Sequence, residues 1–119
     1  MEDVAKRGVE GSAPQTSACL GIEDLPSSLR EALRCLGKEA RENNIDIYLF
    51  GSFAEGRAWP GSDLDLAYEG HLSLWKKRQL DKKIDDLPTI RRVDLVPLET
   101  ASSTLAAEIR QNGILLFEL

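Results

Sequence analysis

The chain has 119 residues, with 15 Lys plus Arg against 20 Asp plus Glu, a net charge of −5. That length supports one small domain with a single core and no second substrate-binding domain of useful size, and the acidic balance argues against direct nucleic-acid binding, which needs a basic surface. Cys19 and Cys35 fit neither a disulfide framework nor a metal-ligand spacing, and the single His71 reads as a solvated loop residue rather than part of a zinc site or a Ser/His/Asp triad. No apolar run is long enough for a membrane span or a signal peptide, so a reducing, cytoplasmic setting is expected.

Residues 1–23 mix Gly, Ser, Pro, Thr and charges without an apolar period and read as a flexible tail ahead of one domain over 24–119. A helix is predicted from Ser27 or Ser28, with Glu31 completing a capping box and Leu29, Ala32, Leu33, Leu36 and Ala40 forming one apolar stripe. Asn43 and Asn44 end it. Residues 45–50 are apolar and β-prone and read as a buried strand closed by Gly51. A short helical piece and a loop through Trp59, Pro60 and Gly61 follow, leading into a second strand over 63–68. Beyond a turn at Glu69 and Gly70, a charged helix over about residues 73–86 turns Leu80, Ile84 and Leu87 inward and Lys76, Lys77, Lys82 and Lys83 mostly outward. Residues 91–96 read as a third strand, Thr100 or Ser102 as the cap of a last helix carrying Leu105 and Ile109, Gly113 as its stop, and 114–117 as a final strand. Helices alternating with strands give an α/β (α+β) domain with helices packed on a sheet.

The chemistry concentrates in Gly51-Ser52 and Asp63-Leu64-Asp65. A glycine without Cβ lets the backbone turn sharply and lets a phosphate approach the amides, and Ser52 adds a hydroxyl that can also cap the following segment. Period-two alternation puts Asp63 and Asp65 on one strand face and Leu64 and Leu66 in the core. Two adjacent carboxylates repel unless a cation lies between them, and hard oxygen ligands of this kind suit magnesium. In the third strand Asp94 stands among apolar residues, where an unpaired charge needs a cation, a donor or an edge position. If Asp94 faces the same way as Asp63 and Asp65, three carboxylates converge and can hold two magnesium ions. As a plain edge residue, Asp94 would instead pair with Arg91 or Arg92.

At these residues the chain resembles the DNA polymerase beta-type nucleotidyltransferase superfamily, and especially its minimal members, the MNT domains. Gly56, and Ser62 ahead of the paired aspartates, add to the resemblance, which covers residues 27–118. It implies a mixed sheet that presents three acids, binding of a nucleoside triphosphate with magnesium, and transfer of a nucleoside monophosphate to a hydroxyl. Carried over, Gly51 and Ser52 hold the β and γ phosphates, Asp63 and Asp65 the metals, and Asp94 a metal and the acceptor proton, with Ser62 and Arg57 as further nucleotide contacts. Many minimal members carry Arg immediately before the glycine matching Gly56. This chain has Glu55 there, and Arg57, on the other side of the glycine, is the candidate substitute. Such members are commonly antitoxins that move AMP from ATP onto a tyrosine of a helical HEPN ribonuclease, so a HEPN-type toxin is the implied partner. Against this stand two alternatives: an antitoxin that neutralises its partner by occlusion alone, and a small-molecule nucleotidyltransferase working with a separate helical subunit.

Overall fold

The computed structural model describes residues 19–119. Its elements are α1 (Ser27–Glu42), β1 (Asp46–Phe50), β2 (Leu64–Glu69), α2 (Leu74–Asp85), β3 (Val93–Pro97), α3 (Ser103–Asn112) and β4 (Ile114–Leu115). The strands form one mixed sheet in the order β3-β2-β1-β4, with β1 antiparallel to β2 and β4, and β2 parallel to β3. The expected small mixed sheet flanked by helices is the fold observed.

Alternation along the strands decides what each sheet face meets. On β1, Ile47 and Leu49 enter the main core with Leu64 and Leu66 of β2, against Leu29, Leu33, Leu36 and Ala40 of α1 and Leu80 and Ile84 of α2. Each fully buried Leu or Ile contributes about 1.5–3 kcal/mol relative to exposure. The opposite face carries a smaller cluster in which Ala67 of β2 meets Leu98, Ala106 and Ile109, with Tyr48 and Phe50 of β1 packed against it. Asp65 and Ala67 therefore share a face, and α3 covers only part of it.

Sequence chemistry accounts for most of the helix ends. Asn44 closes α1 at φ 64°, a left-handed conformation that Asn tolerates better than most residues. Ser73 and Ser102 cap α2 and α3, accepting hydrogen bonds from the amides of Lys76 and Leu105 at 3.2 and 3.1 Å. The start of α1 corrects the predicted capping box. Pro26 occupies the cap position at φ −55° with no side-chain cap bond, both serines lie inside the helix, and Glu31 is paired with Arg34 at 2.8 Å. Three other expectations shift. The piece after Gly51 is a run of turns rather than a helix, the final strand is only Ile114–Leu115 followed by a 3-10 turn, and Leu105 faces outward while Ala106 and Ile109 make the contact. Of the stretch read as a tail, 1–18 lies outside the described residues. Leu20 forms an antiparallel bridge to Ala58 and packs on the main core with Ile22, so ordered packing begins ahead of residue 24.

Gly37 is buried in α1 where the C-terminal segment crosses it. An added Cβ would lie 2.5 Å from the Phe117 amide nitrogen and 2.6 Å from Leu116 Cβ. Gly37→Ala is therefore expected to destabilise the fold by about 1–3 kcal/mol, although alanine is the better helix former. Denaturant unfolding measures it, and a stabilised variant would contradict the close packing.

Candidate functional site

The turn after β1 is built around two glycines of different purpose. Gly51 takes φ 81°, and a Cβ there would stand 2.7 Å from Asp65 Oδ2, so the bare glycine lets the carboxylate lie against the backbone. Phe53 buries its ring in the core, 1% exposed, and anchors the turn. The Glu55 amide donates to Gly51 O at 3.2 Å and the Arg57 amide to Ser52 O at 2.8 Å, while Gly56 takes φ 72°. This is one helical turn closed by the six-to-one hydrogen bond and left-handed glycine of a helix C-terminus. Half-buried Ser52 sits at its start.

Asp65 is placed by sheet register between the other parts. It stands opposite Phe50 of β1, the residue before the turn, and opposite Asp94 of β3. Asp63 lies two residues ahead of it, exposed at the mouth of β2. Burial raises the Asp65 pKa above the ordinary carboxylate value, and the charges of Asp94 and then Asp63 raise it further. Three negative charges thus act on one another at one end of the sheet. They do not converge as tightly as the sequence suggested. Asp94 Oδ1 accepts from Arg92 Nε at 3.3 Å, and among the described residues no three His, Cys, Asp or Glu side chains stand ready to hold a metal ion together. The donor set still fits magnesium: hard carboxylate oxygens, with Asp65 desolvated and repelled by its neighbours.

Ser62 and Arg57 have other engagements. Ser62 Oγ accepts from the Trp59 amide at 2.8 Å while the Ser62 amide donates to Trp59 O at 2.9 Å, which closes the loop before Asp63. Its hydroxyl retains one proton to donate. Arg57 is paired with Glu55 at 2.8 Å, so the residue that departs from the common pattern holds its candidate substitute. Glu55 and Arg57 line a cavity between the turn and α3, together with Gly51, Leu105, Glu108 and Asn112.

With this geometry in place, the profile of the family described as Polymerase beta, Nucleotidyltransferase matches residues 37–119. The chain belongs to that family. No curated protein matches it. Among solved structures, it is similar to a chain of a toxin-antitoxin crystallised with AMP-PNP, at 29% identity and TM-score 0.54, over 73% of this chain and 71% of that one. It also shares its fold with a chain of a mutant toxin-antitoxin MntA-HpeT, at 24% identity and TM-score 0.53, over 73% and 70%. The family match and the likeness to the first of these structures show an MNT-like nucleotidyltransferase domain.

Within this nucleotidyltransferase domain, two residues bear on the site in ways the sequence did not reveal. Leu105, exposed on α3, forms an apolar wall of the cavity beside Gly51. Arg91, which the sequence offers as an ion-pair partner for Asp94, instead donates through Nη1 to Pro60 O and lies over the Phe53 ring at 4.9 Å. Carbonyl acceptors belong to every residue type, so no sequence signal marked that contact. Trp59 and Trp75 are 61% and 67% exposed, as solvent- or partner-facing aromatics would be. Among the described residues no helix is long and apolar enough to cross a membrane.

Proposed function

We propose that this domain transfers AMP from ATP to a hydroxyl, a tyrosine of a HEPN-type toxin being the acceptor, and so acts as an antitoxin. The acceptor oxygen attacks the α-phosphorus, a new P–O bond forms, and the bond to the β-phosphate oxygen breaks to release pyrophosphate. Gly51 and Ser52 receive the triphosphate. Asp63 and Asp65 would hold magnesium, and Asp94, released from Arg92, would join them and take the hydroxyl proton. When bound, magnesium neutralises phosphate charge and lowers the pKa of the attacking hydroxyl. Arg57 and Ser62 are the further nucleotide contacts.

The observation that carries this reading is the juxtaposition of turn and acids, with Asp65 Oδ2 lying 2.7 Å from where a Cβ of Gly51 would be and Asp94 opposite Asp65 in register. Family membership supports nucleotidyl transfer, and the likeness to a toxin-antitoxin crystallised with AMP-PNP supports the adenine nucleotide and the partner class. Incubating the chain with a co-expressed HEPN-type protein, magnesium and ATP labelled at the α-phosphate is expected to label a partner tyrosine. An Asp63→Asn, Asp65→Asn chain that neutralises the toxin fully, with no label transferred by either form, supports occlusion instead.

A further inference from the structure

Arg91 touches the segments that make up the site. Its Nη1 donates to Pro60 O and lies 3.5 Å from Ser62 O, at the outer limit of a hydrogen bond. Its guanidinium covers the face of Phe53, the buried anchor of the phosphate turn, at 4.9 Å from the ring centroid. Its own amide donates to Thr89 Oγ1 at 3.0 Å, and the neighbouring Arg92 carbonyl accepts from the Leu64 amide at 2.9 Å, where β2 and β3 begin to pair. One side chain therefore joins the turn at 51–57, the loop at 59–62 and the chain leading to Asp94.

That loop needs an external restraint. Pro60 has no amide to donate, Gly61 contributes no side chain, both are exposed, and the reciprocal Trp59–Ser62 bonds close the loop only on itself. Asp63 follows it directly, so drift of the loop moves the first carboxylate relative to Asp65. An arginine suits the position better than a lysine, because a planar guanidinium can stack on a ring while donating in its own plane.

We propose that Arg91 is a positioning residue, clamping the 59–62 loop onto the Phe53 anchor so that Asp63 is presented beside Asp65 and the phosphate turn. Its consequence for chemistry rests on the nucleotidyl-transfer reading, whereas the clamp itself does not. The variants are Arg91→Ala, Arg91→Lys and Phe53→Leu. Two readouts are taken on the whole chain: amide hydrogen exchange across residues 59–64 with α1 as internal reference, and kcat and KM for ATP in the labelling assay.

For Arg91→Ala, exchange at 59–64 is expected to rise about tenfold while α1 keeps its protection. Lysine restores part of that protection, since it keeps a donor but not the planar stack. In transfer, kcat is expected to fall by roughly ten- to a hundredfold with little change in KM, because the carboxylate moves while the turn that receives the triphosphate remains. Unchanged exchange at 59–64 overturns the clamp, and faster exchange with wild-type kcat overturns its part in positioning. If α1 also loses protection in Arg91→Ala, the lysine and Phe53→Leu variants decide by the same two readouts. A wild-type chain that transfers no label defeats the functional reading, and the exchange result alone then decides the clamp.

Discussion

Replacing Asp65 with asparagine is expected to slow transfer severely while making the metal-free protein more resistant to heat at neutral pH. Asp65 is the hub of the acid cluster: it lies against Gly51, opposite Asp94 and two residues from Asp63. In the proposed reaction Asp65 would hold magnesium, and losing that cation's stabilisation of the reacting phosphates costs roughly a hundred- to a thousandfold in kcat. The stability effect runs the other way. Burial, then Asp94, then Asp63 raise the Asp65 pKa in the folded protein above its unfolded value. Between those two values the folded state holds a proton that the unfolded chain has lost, so stability falls as pH rises through that window. The penalty is fully present once the pH exceeds the raised value of the folded protein. Asparagine keeps the shape and removes the charge, so its melting temperature in chelator should exceed wild type by a few degrees at pH 7. The gap should close as the pH falls into the ordinary carboxylate range. Thermal melts of both proteins across pH, beside the labelling assay, measure both effects, and a gap that widens on acidification would show that repulsion at Asp65 is not its source.

How much of this was legible beforehand follows from the range of each interaction. Strand alternation is a local property of the chain, so Leu64 and Leu66 could be sent to the core and Asp63 and Asp65 to the other face from sequence alone. Asp94 required one further element, the pairing of β2 with β3, and the isolated carboxylate in an apolar run raised it only as a condition that the register then meets. The alternative of an edge carboxylate also holds in part, since Arg92 engages Asp94. At α1, the rule that Ser and Glu three residues apart form a capping box was overridden by Pro26, whose fixed φ already suits the residue that opens a helix. In α3, Ala106 and Ile109 fill the sheet contact, and Leu105 is left to line the cavity beside the turn. Arg91 lies furthest from sequence reasoning. It reaches Pro60, 31 positions away, through a backbone carbonyl that any residue would present.

Gly51→Ala is expected to disable the site by a route different from loss of charge. The added methyl group meets Asp65 Oδ2 at 2.7 Å, and the residue must also hold φ 81°, where an L side chain costs about 1–2 kcal/mol. The backbone can relax toward negative φ only by redirecting the turn, and the carboxylate can escape only by leaving its place beside the turn. Either response separates the turn proposed to receive the phosphates from the acid, and a displacement of about 1 Å costs roughly a hundredfold in rate. Gly56 supplies the control, because it adopts φ 72° with nothing within 4 Å of an added Cβ. Gly56→Ala incurs the conformational cost alone, about 1–2 kcal/mol, and should lose stability while keeping most of its transfer activity. Melting curves and kinetics on the two variants separate strain from steric exclusion. Equal loss of kcat in both would mean that turn strain, rather than the contact between Gly51 and Asp65, controls the reaction.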